Sequence, residues 1–442
     1  MEIIIGYSIF CIIVFLIALK KITNNTFIKY IIAIWTISSL FSIIYYNASK
    51  EYTRITIMPY IFFIVSMLCI LYPMVAYNDK RMIITLNNAY AFKCVVVFLC
   101  IISILPFIEN IIHVISTYSI SSSSALADIY DDKMSGDLNK TKILSFYSFP
   151  GKICNSLNLK FQKCSLLLLF IYLCQLKKNK YILIGLIIAS INPILYSLIF
   201  AGRSSVVFSC VEACFYYFFF KNYLSAQTKS NIKQAGIILF SFAAIGFAIM
   251  TLARYNNSEG AQSVSLLGWI SLYAGEGTLN FNNYMWHTHA FTEGDNCFGF
   301  FKSILGFNTF TDLLERRAYW GPKMGISPVR YYTFIGDFYS DLSYFTLPIL
   351  LIIGLAIKKV FSRKRIKITT LYMTMLVMLQ CITGFTCYTN KVYSATFDLV
   401  VSILIIYFLN SDILRNRYHT TKFSIIPNNL KSININNRNR KK

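Results

Sequence analysis

The chain has 442 residues, of which 56% are hydrophobic, 16% aromatic and only 14% charged, with a mean hydropathy of +0.55 and a net charge of +23. Ordinary soluble domains carry about 25% charged residues, so a soluble globular domain is excluded, as are a disordered chain and a small disulfide-stapled scaffold. The apolar residues come in blocks of about 17–22, the length that crosses a bilayer core.

In chain order, eleven spans are predicted, at 3–19, 27–46, 57–77, 94–115, 158–176, 181–201, 204–220, 235–253, 338–357, 368–389 and 392–409. The expected fold class is an all-α polytopic integral membrane protein with about 11 transmembrane helices. A single membrane domain covers 1–409 and a basic tail covers 410–442. No cleavable signal peptide is expected, because the first apolar run ends at Lys20-Lys21 without a small-residue cleavage site. The twelve cysteines lie mostly inside apolar runs and form no CxxC pair. They read as small membrane-buried hydrophobes, not as ligands or bridges.

Lys and Arg fall unevenly about these spans. With the long outer loops and the tail set aside, 18 lie on one side and 4 on the other, which places the N-terminus outside and the C-terminus in the cytoplasm. This imbalance accounts for the basic charge without a nucleic-acid partner. The tail from Arg415 to Lys442 reads as a segment facing anionic lipid.

Two outer loops are long. The first, 116–157, is polar, with Ser121–Ser124, Asp128, Asp131, Asp132 and Asp137. The second, 254–337, is rich in Trp, Tyr and Phe among charged residues. So aromatic a segment is expected to fold back over the membrane domain as interfacial helices, because Trp and Tyr favour the headgroup level. Long structured loops on a rigid scaffold are also a usual place for a site.

Three patches carry a resemblance. The stretch 199–207, with Gly202-Arg203-Ser204-Ser205 at a tight outer turn, resembles the Gly-Arg-Ser/Thr turn of the Wzy-type oligosaccharide repeat-unit polymerases, the O-antigen polymerase family. The stretch 273–282, from Tyr273 through Gly275-Glu276-Gly277 to Asn280 and Asn282, is similar to the family's aromatic, Gly-rich, Asn-containing segment. The stretch 333–341, with Asp337 and Asp341, resembles its aromatic, Asp-bearing return segment. The resemblance implies a glycosyltransferase at the outer face of a bacterial inner membrane. It would join undecaprenyl-pyrophosphate-linked oligosaccharide repeat units into an O-antigen or capsule, with a chain-length regulator as partner and without cofactor or metal. An O-antigen ligase and a lipid-linked oligosaccharide flippase are the alternatives. The two unequal long outer loops argue against the flippase, which would show two similar halves around a midplane cavity.

Chemistry narrows the residues within that reading. Releasing a sugar from a lipid diphosphate needs stabilisation of the leaving phosphates, which Arg supplies by bidentate hydrogen bonding. Arg203, followed by Ser204 at a helix N-terminus, is the first phosphate-binding candidate, against a snorkelling topogenic Arg. Arg254 beside Tyr255 is the second; Arg316, Arg317 and Arg330 read as solvated loop charges. The acceptor hydroxyl needs a base. Asp337 and Asp341, four apart, share one helix face and are candidates, although Asp337 could equally cap its helix. Glu276, between two glycines, is either a catalytic carboxylate or part of a plain turn. His287, in Trp286-His287-Thr288-His289, is a proton-transfer candidate, since two histidines alone make a poor zinc set. Trp269, Tyr273, Trp286 and Trp320 fit either glycan stacking or burial at the membrane interface. Glu109 and His113, four apart in the fourth span, read as a mutual pair or a functional site. Glu212 and Asp398 read as structural.

Overall fold

The computed structural model describes residues 1–23, 25–49, 51–78, 80–86, 88–120, 147–175, 178–200, 204–257, 265–307, 310, 313–327, 332–383, 404, 407 and 423–428. The elements run α1 Glu2–Lys21, α2 Thr26–Ser49, α3 Ile57–Leu71, β1 Ile83–Leu86, α4 Ala89–Ile120, α5 Phe149–Lys160, α6 Gln162–Leu173, α7 Lys180–Ile199 and α8 Ser204–Phe220. They continue with α9 Ala226–Asn257, α10 Leu266–Asn283, α11 Gly299–Ile304, α12 Leu313–Met324, α13 Phe334–Leu342, α14 Thr346–Phe361, β2 Arg365–Lys367, α15 Ile368–Thr383 and β3 Phe423–Ile425. The described residues are 79% helical.

Among the described residues, six helical stretches are long and apolar enough to cross a membrane: Glu2–Lys21, Thr26–Ser49, Ile57–Ala76, Ala89–Tyr118, Lys180–Ile199 and Phe334–Phe361. Shorter apolar helices cover Cys164–Leu173, Val206–Phe220 and Ile368–Leu379. The protein is thus a helical, membrane-embedded one. The surface of α4 shows why: Ile101, Ile108 and Ile115 are 64%, 50% and 61% exposed, while Ser103 and Asn110 on the same helix are fully buried. Apolar side chains point outward and polar ones inward, an arrangement that only a hydrocarbon solvent stabilises.

One expected span differs from the structure, and one falls outside what it describes. The run 158–176 is broken at Phe161, which separates α5 from α6 with its backbone at φ −98° and ψ 9°. The end of the expected long loop 116–157 is helical, since α5 already begins at Phe149 with Ser148 capping Gly151. The last expected span, 392–409, lies almost wholly outside the described residues.

The chain divides into two compact units. The first comprises Met1–Met82, Ser263–Ile366 and Met373–Val400. Its interior is a close pairing of α2 with α10. Ser38 donates to the Ala274 carbonyl at 2.6 Å and Ser42 to the Gly275 carbonyl at 2.9 Å, with Thr278 2.8 Å from Ser42. A Cβ on Gly275 would lie 2.6 Å from the backbone of Phe41, so only glycine permits this approach. Small residues that let backbones meet are the usual basis of helix association in lipid.

The second unit comprises Ile83–Gln262, Lys367–Tyr372 and Val401–Lys442. Here α4 packs along α7 and, antiparallel, along α5. Strand β1 pairs antiparallel with β3, in the register Ile84 with Ile425 and Leu86 with Phe423.

Candidate functional site

The described part of the aromatic segment 254–337 folds into helices, α10 to α12, and its Phe281, Trp286 and Phe291 pack against Tyr339 of the helix that follows, α13. Thr333 is the N-cap of α13, its hydroxyl accepting from the Gly336 amide at 3.4 Å, so capping falls to Thr333 and not to Asp337. Asp337 and Asp341 both sit buried on this helix. Their surroundings separate them. The carboxylate of Asp341 accepts from the Thr292 hydroxyl and from the backbone amides of Gly294 at 3.1 Å, Asn296 at 3.1 Å and Cys297 at 2.6 Å. The turn 292–297 is wound around one side chain, which makes Asp341 the organising centre of that turn.

A second acidic residue ties α11 and α12 together. Asp295 pairs with Lys302 of α11 and accepts from the Trp320 indole N–H of α12 at 2.9 Å. Arg316 Nη1 donates to the Asp295 carbonyl at 2.9 Å. Arg316 is buried, which overturns the expectation of a solvated loop charge. Cys297 lies within the electrostatic reach of Asp341, Asp337 and Arg316. Burial, and then the two carboxylates, push its thiol well above the ordinary range, so it stays protonated and unreactive.

Glu276 is likewise buried, but the glycines around it make no turn. Gly275-Glu276-Gly277 lies in the middle of α10, and Asn280 Nδ2 donates to Glu276 Oε2 at 3.4 Å. The asparagines that follow clamp an extended segment. Asn280 Oδ1 accepts from the Tyr52 hydroxyl at 3.1 Å and Asn283 Oδ1 from the Arg54 amide at 2.7 Å. The Asn282 amide pairs both ways with the Thr56 backbone, at 3.0 and 2.8 Å. Side-chain amides here do what a neighbouring strand would do, satisfying backbone groups in a segment without one of its own.

The aromatic candidates form separate groups. Trp269 meets Tyr273 edge-on at 6.4 Å. Trp286 stacks on Tyr339 at 5.4 Å and 18°, and packs against Phe62 and Tyr344. Trp320 is held by Asp295, with Lys323 5.1 Å above its ring. His287, next to Trp286, is half-buried, and its Nε2 is out of water with no hydrogen-bond partner among the described residues.

Arg203 and Arg330 lie outside the described residues; in the second unit, Ser204 opens α8 and Arg254 stands in the last turns of α9. Asp398 is also outside them, and Glu212 is buried in α8. Glu109 Oε1 accepts from the Ser148 amide at 3.2 Å and hydroxyl at 2.5 Å, fixing the start of α5. Below it runs a seam of buried amides unforeseen from the sequence. Asn158 Nδ2 donates to Ser103 Oγ at 2.7 Å and Asn192 Nδ2 to Ser103 O at 2.9 Å. Ser103 Oγ already donates to the Leu99 carbonyl and the Ser103 carbonyl can only accept, so both amides must present N–H, which leaves Asn158 Oδ1 and Asn192 Oδ1 without partners among the described residues. The signal available was three Asn in or beside predicted spans (155, 158 and 192), each a polar group in an apolar run.

Among the described residues, no group of three His, Cys, Asp or Glu gathers as a metal set would. No protein-family model, curated protein or solved structure matches the chain.

Proposed function

We propose that this protein is a membrane glycosyltransferase that joins undecaprenyl-pyrophosphate-linked oligosaccharide repeat units into a surface polysaccharide. In this reading it has eleven spans in the bacterial inner membrane, with the N-terminus outside. The acceptor hydroxyl oxygen bonds to the anomeric carbon of the donor, the bond from that carbon to the diphosphate breaks, and the lipid diphosphate leaves with the electron pair. The hydroxyl proton passes to a base of the protein. Arg203, Ser204 and Arg254 keep the phosphate-binding role expected of them on chemical grounds.

The observation that carries the reading is the pair of buried carboxylates on α13. The Asp341 oxygens accept from four donors of the turn 292–297, while four residues earlier Asp337 is buried on the same helix. Asp341 then serves as scaffold and Asp337 as the base, with His287 Nε2 and Glu276 as the other proton-transfer groups. Trp286, stacked on Tyr339 of the same helix, supplies an aromatic surface for sugar faces.

A strain lacking the protein tests this through the banding of its surface glycan. A single repeat unit attached to its anchor supports the polymerase. Absence of any attached glycan indicates a ligase, and lipid-linked repeat units retained in the cytoplasm indicate a flippase. Arg203→Ala is expected to abolish long chains in a protein that still inserts. Arg203→Lys should restore little, because Lys lacks the bidentate fork.

A further inference from the structure

The second unit contains a cavity of about 660 Å³ where the N-terminal ends of α4 and α7 meet the C-terminal end of α6. That volume falls within the range of small-molecule sites, about 300–1,000 Å³. Lys93, Lys178 and Lys180 line it, together with Gln175 and the apolar side chains of Phe92 and Val96. No carboxylate is close in sequence to neutralise these lysines: no Asp or Glu occurs between Asp79 and Glu109 or between Asp137 and Glu212.

The backbone adds to the positive field. Two helix N-termini face this end of the unit, capped by neutral side chains: Asn88 Oδ1 accepts from the Ala91 amide and Asn179 Oδ1 from the Tyr181 amide, each at 2.9 Å. Their dipoles carry positive ends there. Lys178 and Asn179 are held in place, the Asn179 amide donating to the Tyr172 hydroxyl at 2.7 Å and Lys178 Nζ to Thr228 Oγ1 at 2.6 Å. The position matters as much as the charge. The cavity sits at the ends of two stretches long and apolar enough to cross a membrane, Ala89–Tyr118 and Lys180–Ile199, the level at which hydrocarbon gives way to headgroups.

We propose that this cavity binds one anionic phospholipid, its phosphate among Lys93, Lys178 and Lys180 and the start of an acyl chain against Phe92 and Val96. Basic pockets between membrane helices are a recurrent form of anionic headgroup site. A soluble phosphate would use the lysines but leave the apolar wall without purpose. A zwitterionic lipid would use the wall but leave three like charges uncompensated. The assignment is independent of the glycosyltransferase reading and stands or falls without it.

The test uses the full chain in mixed micelles of phosphatidylcholine with phosphatidylglycerol, reading retained lipid by native mass spectrometry and the thermal unfolding midpoint. Phosphatidylglycerol should be retained selectively and raise the midpoint, with affinity falling about fivefold for each lysine replaced in the series to K93Q/K178Q/K180Q. The matching Arg series should keep binding. Val96→Trp, which fills the cavity and leaves every charge in place, should expel the lipid. Equal retention of phosphatidylcholine, or an equal rise in midpoint with inorganic phosphate alone, overturns the proposal. So does undiminished phosphatidylglycerol binding in the triple Gln variant or in Val96→Trp. The comparison of two lipids on the unaltered protein decides the matter even if a variant fails to fold.

Discussion

The turn at Thr292–Cys297 and the amide seam of α4, α5 and α7 both place polar groups out of water, yet they satisfy them to different degrees. Around Asp341, one hydroxyl and three backbone amides converge on a single carboxylate. Along the seam, Asn158 and Asn192 each give their N–H to Ser103 while their oxygens face no donor among the described residues. An unpaired polar group buried away from water is costly, so a fully paired centre fixes one conformation and a half-paired one holds it less firmly. The first region behaves as a structural keystone; the second tolerates replacement.

The largest effect is expected at the keystone. Asp341→Ala orphans four donors at once and should lower stability by at least about 3 kcal/mol. Amide exchange at Gly294, Asn296 and Cys297 should rise with it. Unchanged protection of those three amides would remove Asp341 from its scaffolding role.

Next in size is the contact between α2 and α10. Gly275→Leu forces side-chain atoms into the Phe41 backbone and should cost about 1–3 kcal/mol, or prevent assembly of the first unit. Unfolding in detergent reports it, and a neutral result would mean that the two helices are not packed this closely.

The smallest effect is expected in the seam. Asn192→Leu removes one hydrogen bond but also one unpaired oxygen, and should shift stability by no more than about 1 kcal/mol in either direction. A loss as large as that of Asp341→Ala would show that the seam is fully paired in the membrane, and the contrast between the regions would dissolve.

Legibility differed by element for physical reasons. The helices α1 to α4, α7 and α14 were visible because an uninterrupted apolar run has no other way to satisfy its backbone in lipid. The break at Phe161 was invisible, because apolar runs continue on both sides of it and the interruption is one of backbone conformation. Gly275-Glu276-Gly277 read, on local grounds, as a freely shaped site for a carboxylate or a plain turn, whereas Gly275 serves a helix contact with Phe41 and Ser42, more than 230 positions away. Arg316 looked like a loop charge because its partner, the Asp295 carbonyl, is brought to it only by the fold of α12.

Composition alone determined that this chain lives in a bilayer, since hydrophobic transfer depends on side-chain content and run length and hardly on context. Which polar residues act together was decided by the tertiary structure, because hydrogen bonds need angstrom-scale placement that spacing along the chain does not encode. Asp337 and Asp341 are alike in sequence, four apart in one aromatic helix. The tertiary structure winds residues 292–297 around Asp341, a role that the spacing does not encode.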